Sequence, residues 1–289
     1  ELAHEIMVHT EGNPFFIKIL MQSLYDKKLL RYVTADQAVV TSGDISEWSW
    51  NIPEIKQLPI TDNVVGLMLQ RVCELPHTTQ RFLKYASAVG NRFDAKFIAQ
   101  LLSLSTLQID EVISSALMKG VIYASGNAFR FVHDKVQEAA YTLIDEKDRQ
   151  EIHLSIGREL RKMNPSLEDD NRITDIARHL NMGAELIDDN DELLQLSLIN
   201  QRIGQHAYRN AAYQISLEHY KSSETCLISV TDSPWESHYQ LMLKLQLQLA
   251  DTEFISGNFD RASTIILNAL GCATTVLDKT KLYALSIYQ

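Results

Sequence analysis

Proline and glycine are in short supply in this 289-residue chain, with 6 and 11 copies. Leucine, alanine, glutamine, glutamate and lysine are common, and a chain so poor in helix breakers is expected to be almost entirely α-helical. Cysteine is nearly absent: Cys73, Cys226 and Cys272 stand far apart with no Cys-x-x-Cys, which argues against a disulfide framework or zinc site and fits a reducing cytoplasm. No apolar run approaches the ~20 residues that span a bilayer, and there is no signal-peptide pattern. Basic residues are outnumbered, 27 to 37, for a net charge of −10. That balance argues against broad binding to nucleic acid or anionic membrane. Also missing are a Gly-x-x-x-x-Gly-Lys-Ser/Thr phosphate loop, an acidic strand end for Mg²⁺, and the His-Arg-Asp and Asp-Phe-Gly sets of protein kinases. The chain by itself is therefore expected neither to hydrolyse ATP nor to phosphorylate.

What is present is enough for two or three domains: 289 residues with 45% apolar content. The chain opens on Glu1 rather than Met, already in a helical pattern, and reads as a piece of something longer. Residues 1–31 hold two helices split at Gly12-Asn13-Pro14, with Pro14 suited to the first position of the second helix, where its missing N–H costs nothing. That helix carries Phe16, Ile17, Leu20 and Leu24 at 3-4 spacing. In residues 32–60, Val39-Val40 and Trp48-Ser49-Trp50 alternate like short strands, bounded by Ser42-Gly43 and Pro53. The segment is expected to be a connector, with both tryptophans as packing anchors.

Residues 61–145 read as one compact unit. Thr61 or Asp62 is placed to cap a first helix and Pro76 to open a second, which Gly90 stops. Phe97, Ile98, Leu101 and Leu102 mark a third. Ser105 with Gln108 has the spacing of a capping box for a fourth, ending near Gly120. Two alternating runs around Ser125-Gly126-Asn127 then predict a β-hairpin, and helices followed by such a wing make a winged helix-turn-helix. Its groove-facing helix would offer DNA Asp110 and Glu111 against Lys119 alone, which disfavours DNA.

After residue 145 the chain continues as helices, 146–163 with Ile152, Leu154, Ile156 and Leu160, then 173–187. The acidic runs at 168–170 and 188–192 lack the glycine and ligand periodicity of an EF-hand and read as solvated loops and helix starts. In residues 201–289, Gly257-Asn258-Phe259 and Ala212-Tyr213 each put a small turn and an aromatic before a helix, as in tetratricopeptide helix pairs. The spacing from Tyr213 to Phe259 exceeds the roughly 34-residue tetratricopeptide period.

Residues 129–144, FRFVHDKVQEAAYTLI, hold the chemistry. A short strand gives way to His133-Asp134 and then a helix, with Asp134 where an N-cap belongs. An imidazole at a helix N-terminus, where donors and partial positive charge point outward, is a plausible place to meet a phosphate. The same pair is also what an ordinary cap beside a polar loop residue looks like.

Five motifs in order decide between these readings: residues 10–16 (TEGNPFF), 48–50 (WSW), 61–65 (TDNVV), 90–94 (GNRFD) and 131–141 (FVHDKVQEAAY). Together they resemble the predicted STAND-class (AAA-like) ATPases of bacterial hybrid serine/threonine kinase–ATPase–sensor histidine kinase proteins. The resemblance covers residues 1–145 and continues into the helical remainder. It implies that Gly12, Asn13 and Pro14 form the lid turn that sets a proline against adenine. It also implies that His133 reaches the β-phosphate of ADP, with Asp134 shaping the loop. The nucleotide-binding core itself would lie before Glu1.

The expected organisation is thus mainly α: lid helices and connector over 1–60, a winged helix over 61–145, and a tetratricopeptide-like arm over 146–289 that runs on beyond the C-terminus. The resemblance implies a regulatory piece of a cytoplasmic sensor kinase whose parent binds ATP or ADP with Mg²⁺ and acts as ATPase and protein kinase. No nucleotide is expected to bind tightly to the chain alone. Expected partners are the upstream core in the same chain and a protein or small-molecule signal on the arm, with no nucleic acid and no membrane span. Oligomerisation of the parent is left open. Two rivals stand beside this reading: a tetratricopeptide-like interaction scaffold without nucleotide switching, and a winged-helix DNA-binding regulator.

Overall fold

The computed structural model describes residues 2–10, 12, 14–33, 47–57, 64–167 and 170–288. They divide into two compact units, Glu1–Ile144 and Asp145–Gln289. The fold is mainly α in both.

The first unit opens with α1 (Leu2–Thr10) and α2 (Pro14–Asp26). The chain reverses between them at Gly12, whose φ of +75° is the left-handed backbone that glycine adopts without a Cβ penalty. Pro14 does start α2, exposed to solvent. β1 (Leu30–Val33) pairs antiparallel with β2 (Glu47–Trp50), setting Tyr32 opposite Trp48 and Leu30 opposite Trp50. α3 (Ile52–Gln57) follows. Ile6, Leu20, Leu24, Leu30 and Ile55 close a small core beneath these elements. The tryptophans are not buried anchors. Trp48 packs edge-on against Tyr25 and Tyr32 at centroid distances of 6.3 and 5.2 Å, yet Trp48 and Trp50 stay about half exposed. Val39-Val40 and the Thr61/Asp62 cap lie outside the described residues.

Next come α4 (Val64–Cys73), α5 (His77–Val89), β3 (Arg92–Phe93), α6 (Ala95–Leu102), α7 (Thr106–Met118), β4 (Ile122–Ser125), β5 (Ala128–Phe131) and α8 (Asp134–Thr142). This is a winged helix with its wing. Asp94 caps α6 by accepting from the Lys96 N–H at 2.8 Å. The Ser105–Gln108 capping box at α7 is formed reciprocally, with Gln108 Oε1 accepting from the Ser105 N–H at 2.9 Å. Gly126, at φ +64°, turns β4 into β5, and the order β3-β5-β4 adds a third strand that hydropathy does not reveal. Fully buried Phe82, Leu83, Ala86, Ile98, Ala116, Val136, Ala139 and Ala140 tie α5, α6, α7 and α8 into one core. Burying each large apolar side chain contributes about 1.5–3 kcal/mol.

The second unit is a run of antiparallel helix pairs: α9 (Glu146–Met163) with α10 (Asp170–Met182), then α11 (Asn190–Arg209) with α12 (Tyr213–Val230). A short α13 (Pro234–Ser237) leads to α14 (Tyr239–Ile255) with α15 (Phe259–Cys272), and to α16 (Val276–Tyr288). The acidic run at 188–192 makes a helix start: Asp189 caps α11, and Glu192 takes a two-pronged bond from Arg158 at 2.7 and 2.9 Å. Residues 168 and 169 lie outside the described residues, and Asp170 begins α10.

The two helix turns of the weak internal repeat are built alike. Ala211 and Gly257 both take positive φ, at +58° and +85°. Tyr208 meets Tyr213 edge to face at 5.6 Å, and Phe254 meets Phe259 at 5.1 Å in the same manner. The Ala212 N–H donates to the Ala207 carbonyl, and the Asn258 N–H to that of Glu253, both at 2.9 Å. Residues 207, 208, 211, 212 and 213 of the first turn thus each have a counterpart 46 positions on.

Candidate functional site

His133 sits where β5 ends and α8 begins. The Phe131 N–H donates to the Asn91 carbonyl at 3.0 Å, and the Val132 N–H to that of Val121 at 3.2 Å, which fixes the backbone just before it. Beyond it, α8 is seated by Val136, Ala139 and Ala140 in the core, and by Gln137 Nε2 donating to the Ser87 carbonyl of α5 at 2.9 Å. The half-buried imidazole is thus held between a paired strand and a packed helix.

The N-cap of α8 is His133, not Asp134. With φ −157° and ψ 152° the His133 backbone is extended, and its Nδ1 accepts from the Lys135 N–H at 3.1 Å. Asp134 is already the first helical residue. Its carboxylate accepts from Asn91 Nδ2 at 2.8 Å and lies beside the positive end of the helix. The physical reason for the difference is reach. An Nδ1 atom stands about as far from its backbone as a carboxylate oxygen does, so an extended histidine can take the position usually held by aspartate or serine. Asn91 is the participant that sequence reasoning passed over. Its side chain holds Asp134 and its carbonyl holds β5, and the only hint was its place in the GNRFD motif.

Accepting at Nδ1 has a chemical consequence. A neutral imidazole with an acceptor at Nδ1 carries its proton on Nε2, so the donor this ring has to offer is Nε2–H. That is the form suited to an anionic oxygen; the Lys135, Val136 and Gln137 N–H groups of the first turn are themselves taken up by the His133 side chain and carbonyl.

Gly12 lies in the α1–α2 turn, where a Cβ would come within 3.3 Å of Met7 Cε. Thr10 closes α1 by donating Oγ1–H to the Ile6 carbonyl at 2.6 Å. Pro14 is exposed at the start of α2, and Asn13 lies outside the described residues. The structure thus groups Gly12 with Pro14 at one turn, and His133 with Asp134 at another.

A cleft of ≈ 680 Å³ opens between α2, α4 and the end of α7, lined among others by Lys18, Asp26, Arg71, Glu74, Lys119 and Val132. Among the described residues its wall takes in Val132 but neither Pro14 nor His133. The C-terminal ends of α2, α4 and α7 all border it, and their partial negative charge is answered by Lys27, Arg71 and Lys119. The Lys119 ammonium lies 2.6 Å from Glu74 and, by that hydrogen bond, lowers the Glu74 carboxyl below its ordinary range. The cleft is lined by four basic side chains, Lys18, Lys27, Arg71 and Lys119, and two acidic ones, Asp26 and Glu74. Among the described residues no group of three or more His, Cys, Asp or Glu side chains is placed to hold a metal ion. No described helix is long and apolar enough to cross a membrane.

No family model matches the chain. It is similar to the Hybrid signal transduction histidine kinase G of Dictyostelium discoideum, at 27% identity over a 328-residue alignment. That alignment takes in 93% of this chain and 9% of the relative, so the chain spans under a tenth of that protein's length. Among solved structures it is similar to a Signal Transduction ATPase with Numerous Domains (STAND) protein with a tetratricopeptide repeat sensor from Pyrococcus horikoshii. That match has 14% identity and a TM-score of 0.41, and covers all of this chain and 44% of the other.

Proposed function

We propose that this chain is a regulatory segment of a multidomain signalling protein of the hybrid-kinase kind, in which the winged helix reports the nucleotide state of a core carried elsewhere in the parent. In this reading residues 1–60 are the lid of an ATPase module, 61–145 its winged helix, and 146–289 an arm that receives a signal or a protein partner. Similarity across nearly the whole chain to a hybrid histidine kinase supports the signalling role.

The observation that carries the switch is the place of His133, at the junction of β5 and α8 with its Nδ1 held by the Lys135 N–H. With Nδ1 engaged by the Lys135 N–H, a neutral ring would carry its proton on Nε2, and in this reading that N–H would turn to the β-phosphate of ADP when the core closes on the winged helix. Gly12, Asn13 and Pro14 would meet the adenine, and Asp134, tied to Asn91, would hold the loop. A contact made with ADP in a closed arrangement and absent in an open one biases the equilibrium between them, which is all a two-state switch requires. ATP or ADP with Mg²⁺ would be held mainly by the parent's own core, and this chain's contribution would be one donor and one turn.

The test is ADP dissociation from the full-length parent, wild type against His133→Ala. Loss of a hydrogen bond to a charged acceptor, about 1.5–3 kcal/mol, is expected to speed release by roughly tenfold or more and to raise basal signalling. Release and signalling at the wild-type level would remove His133 from the mechanism. The purified 289-residue chain is expected to show no ATP turnover.

A further inference from the structure

The exposed face of α7 has a composition that fits neither DNA nor plain solvation. Val112 and Ala116 bury the inner side of this helix against the winged-helix core. On the opposite side Leu107, Glu111, Ser114 and Met118 recur at i, i+4, i+7 and i+11, the spacing that keeps one face of a helix. All four are exposed, Leu107 at 76% and Met118 at 84%. Asp110 and Leu117 flank the stripe and are exposed as well. The stripe thus runs apolar, acidic, apolar: Leu107, then Asp110 with Glu111, then Leu117 with Met118. α7 itself contributes no lysine or arginine, and the following Lys119 is engaged by Glu74 at 2.6 Å.

We infer that this face is a docking surface for a cationic amphipathic helix of a partner protein. In the winged-helix arrangement α7 is the element that would enter a DNA groove, and two carboxylates there repel phosphate. The same two carboxylates attract lysine or arginine, and the apolar residues on either side give a partner helix something to bury. Met118 suits such a contact, because its unbranched thioether adapts to the shape placed against it. The pattern also states the partner's register: apolar side chains about three turns apart, with basic side chains between them. The basic outer side of the sheet, where exposed Arg130 stands opposite both Arg92 and Tyr123, carries the opposite sign and belongs to different elements. It makes contact between two copies an outcome the test must separate.

The probe is a synthetic 18-residue helical peptide with leucine at the two ends of one face and lysine between. Its controls are the same peptide with glutamate for lysine, the same with serine for leucine, and a 20-base-pair duplex. Binding to the 289-residue chain is read by fluorescence anisotropy and located by amide chemical shifts. The leucine/lysine peptide is expected to bind and to shift residues 106–118. Asp110→Lys with Glu111→Lys, and separately Leu107→Ser with Met118→Ser, are each expected to weaken it at least tenfold while circular dichroism stays unchanged. All four residues are exposed, so neither pair should disturb folding. Three results would overturn the inference: affinity unmoved by either pair of substitutions; equal binding of the serine control, which reduces the effect to the net charge of −10; or self-association of the wild-type chain that either pair abolishes.

Discussion

Nδ1 of His153 on α9 lies 2.8 Å from Nδ1 of His179 on α10, with both rings buried and stacked at a centroid distance of 4.9 Å. Arg178 settles the direction of that bond. Its Nη2 lies 3.1 Å from His179 Nε2, and a guanidinium can only donate. His179 therefore accepts at Nε2, carries its proton on Nδ1, and donates it to His153 Nδ1. Burial, together with the charges of Arg178 and Arg149, lowers His153 from 6.5 to about 4. Burial, Arg178 and His153 lower His179 from 6.5 to about 3. A buried base with a depressed pKa leaves the unfolded chain holding more protons, so stability is full above pH 6.5 and falls as pH drops toward 4 and then 3. Each ring adds a slope of up to about 1.4 kcal/mol per pH unit in that window.

His179→Leu removes one of the two titrations and leaves the Arg178 guanidinium without this acceptor. The expected cost at pH 7 is about 1–3 kcal/mol. Because the variant has one ring fewer to protonate, its deficit against wild type should shrink at pH 5. Urea unfolding at the two pH values checks both signs, and a deficit that stays constant or grows at pH 5 contradicts the assignment.

Two glycines in the arm should respond oppositely to the same substitution. A Cβ on Gly204 of α11 would lie 2.6 Å from Cε1 and 2.7 Å from Cδ1 of Tyr220, a buried ring of α12. Gly204→Ala should cost about 1–3 kcal/mol by overpacking, less the small gain in helix propensity. A Cβ on Gly271 of α15 meets nothing within 4 Å. Gly271→Ala should therefore stabilise by up to about 1 kcal/mol. Thermal unfolding of the two variants side by side is the measurement.

Glu253 is a fully buried carboxylate at the end of α14, held by Lys221 at 3.0 Å, Arg261 at 3.1 Å and Asn258 Nδ2 at 2.6 Å. Its cations reach in from solvent, with side chains 37% and 60% exposed. Removing the carboxylate and removing one cation should differ accordingly. Glu253→Ala should cost about 1.5–3 kcal/mol, since it removes the one buried acceptor that Lys221, Arg261 and Asn258 share. Arg261→Ala should cost under about 1 kcal/mol, because an exposed guanidinium is screened and Lys221 remains. Equal losses in chemical denaturation would mean the carboxylate is not the centre of this turn.

The parts of the fold that could be read in advance are those where local chemistry suffices. Ser105 with Gln108 named the start of α7, Gly126 named the wing turn, and the apolar spacing of Ile152, Leu154 and Ile156 outlined α9. What escaped depends on partners distant in the chain. β1 is only four residues and becomes a strand by facing Trp48 and Trp50, and β3 is two residues paired with β5. Trp48 and Trp50 read as anchors because tryptophan is usually covered, but nothing in composition says that this two-stranded sheet leaves them half exposed. The 46-residue repeat was blurred because one turn uses glycine at positive φ and the other uses Ala211, a residue that rarely signals such a turn. At the site itself, Asp134 has the residue type of a cap and His133 the geometry of one, and only backbone φ and ψ decide between them.

That last distinction gives the sharpest test of His133, because a cap and a phosphate ligand ask for different substitutions. His133→Ala removes the side-chain acceptor of the Lys135 N–H and should lower unfolding stability by about 1 kcal/mol. His133→Asp restores an acceptor at a helix N-terminus, where a negative charge is favourable, and should stay within about 0.5 kcal/mol of wild type. Toward ADP the order inverts. Alanine merely loses the Nε2–H donor, whereas aspartate replaces it with a charge that repels phosphate. In the full-length parent, His133→Asp should therefore release ADP fastest while being the more stable of the two variants. If stability and nucleotide retention instead fall in the same order, weaker retention is a consequence of a frayed α8, and His133 serves the helix alone.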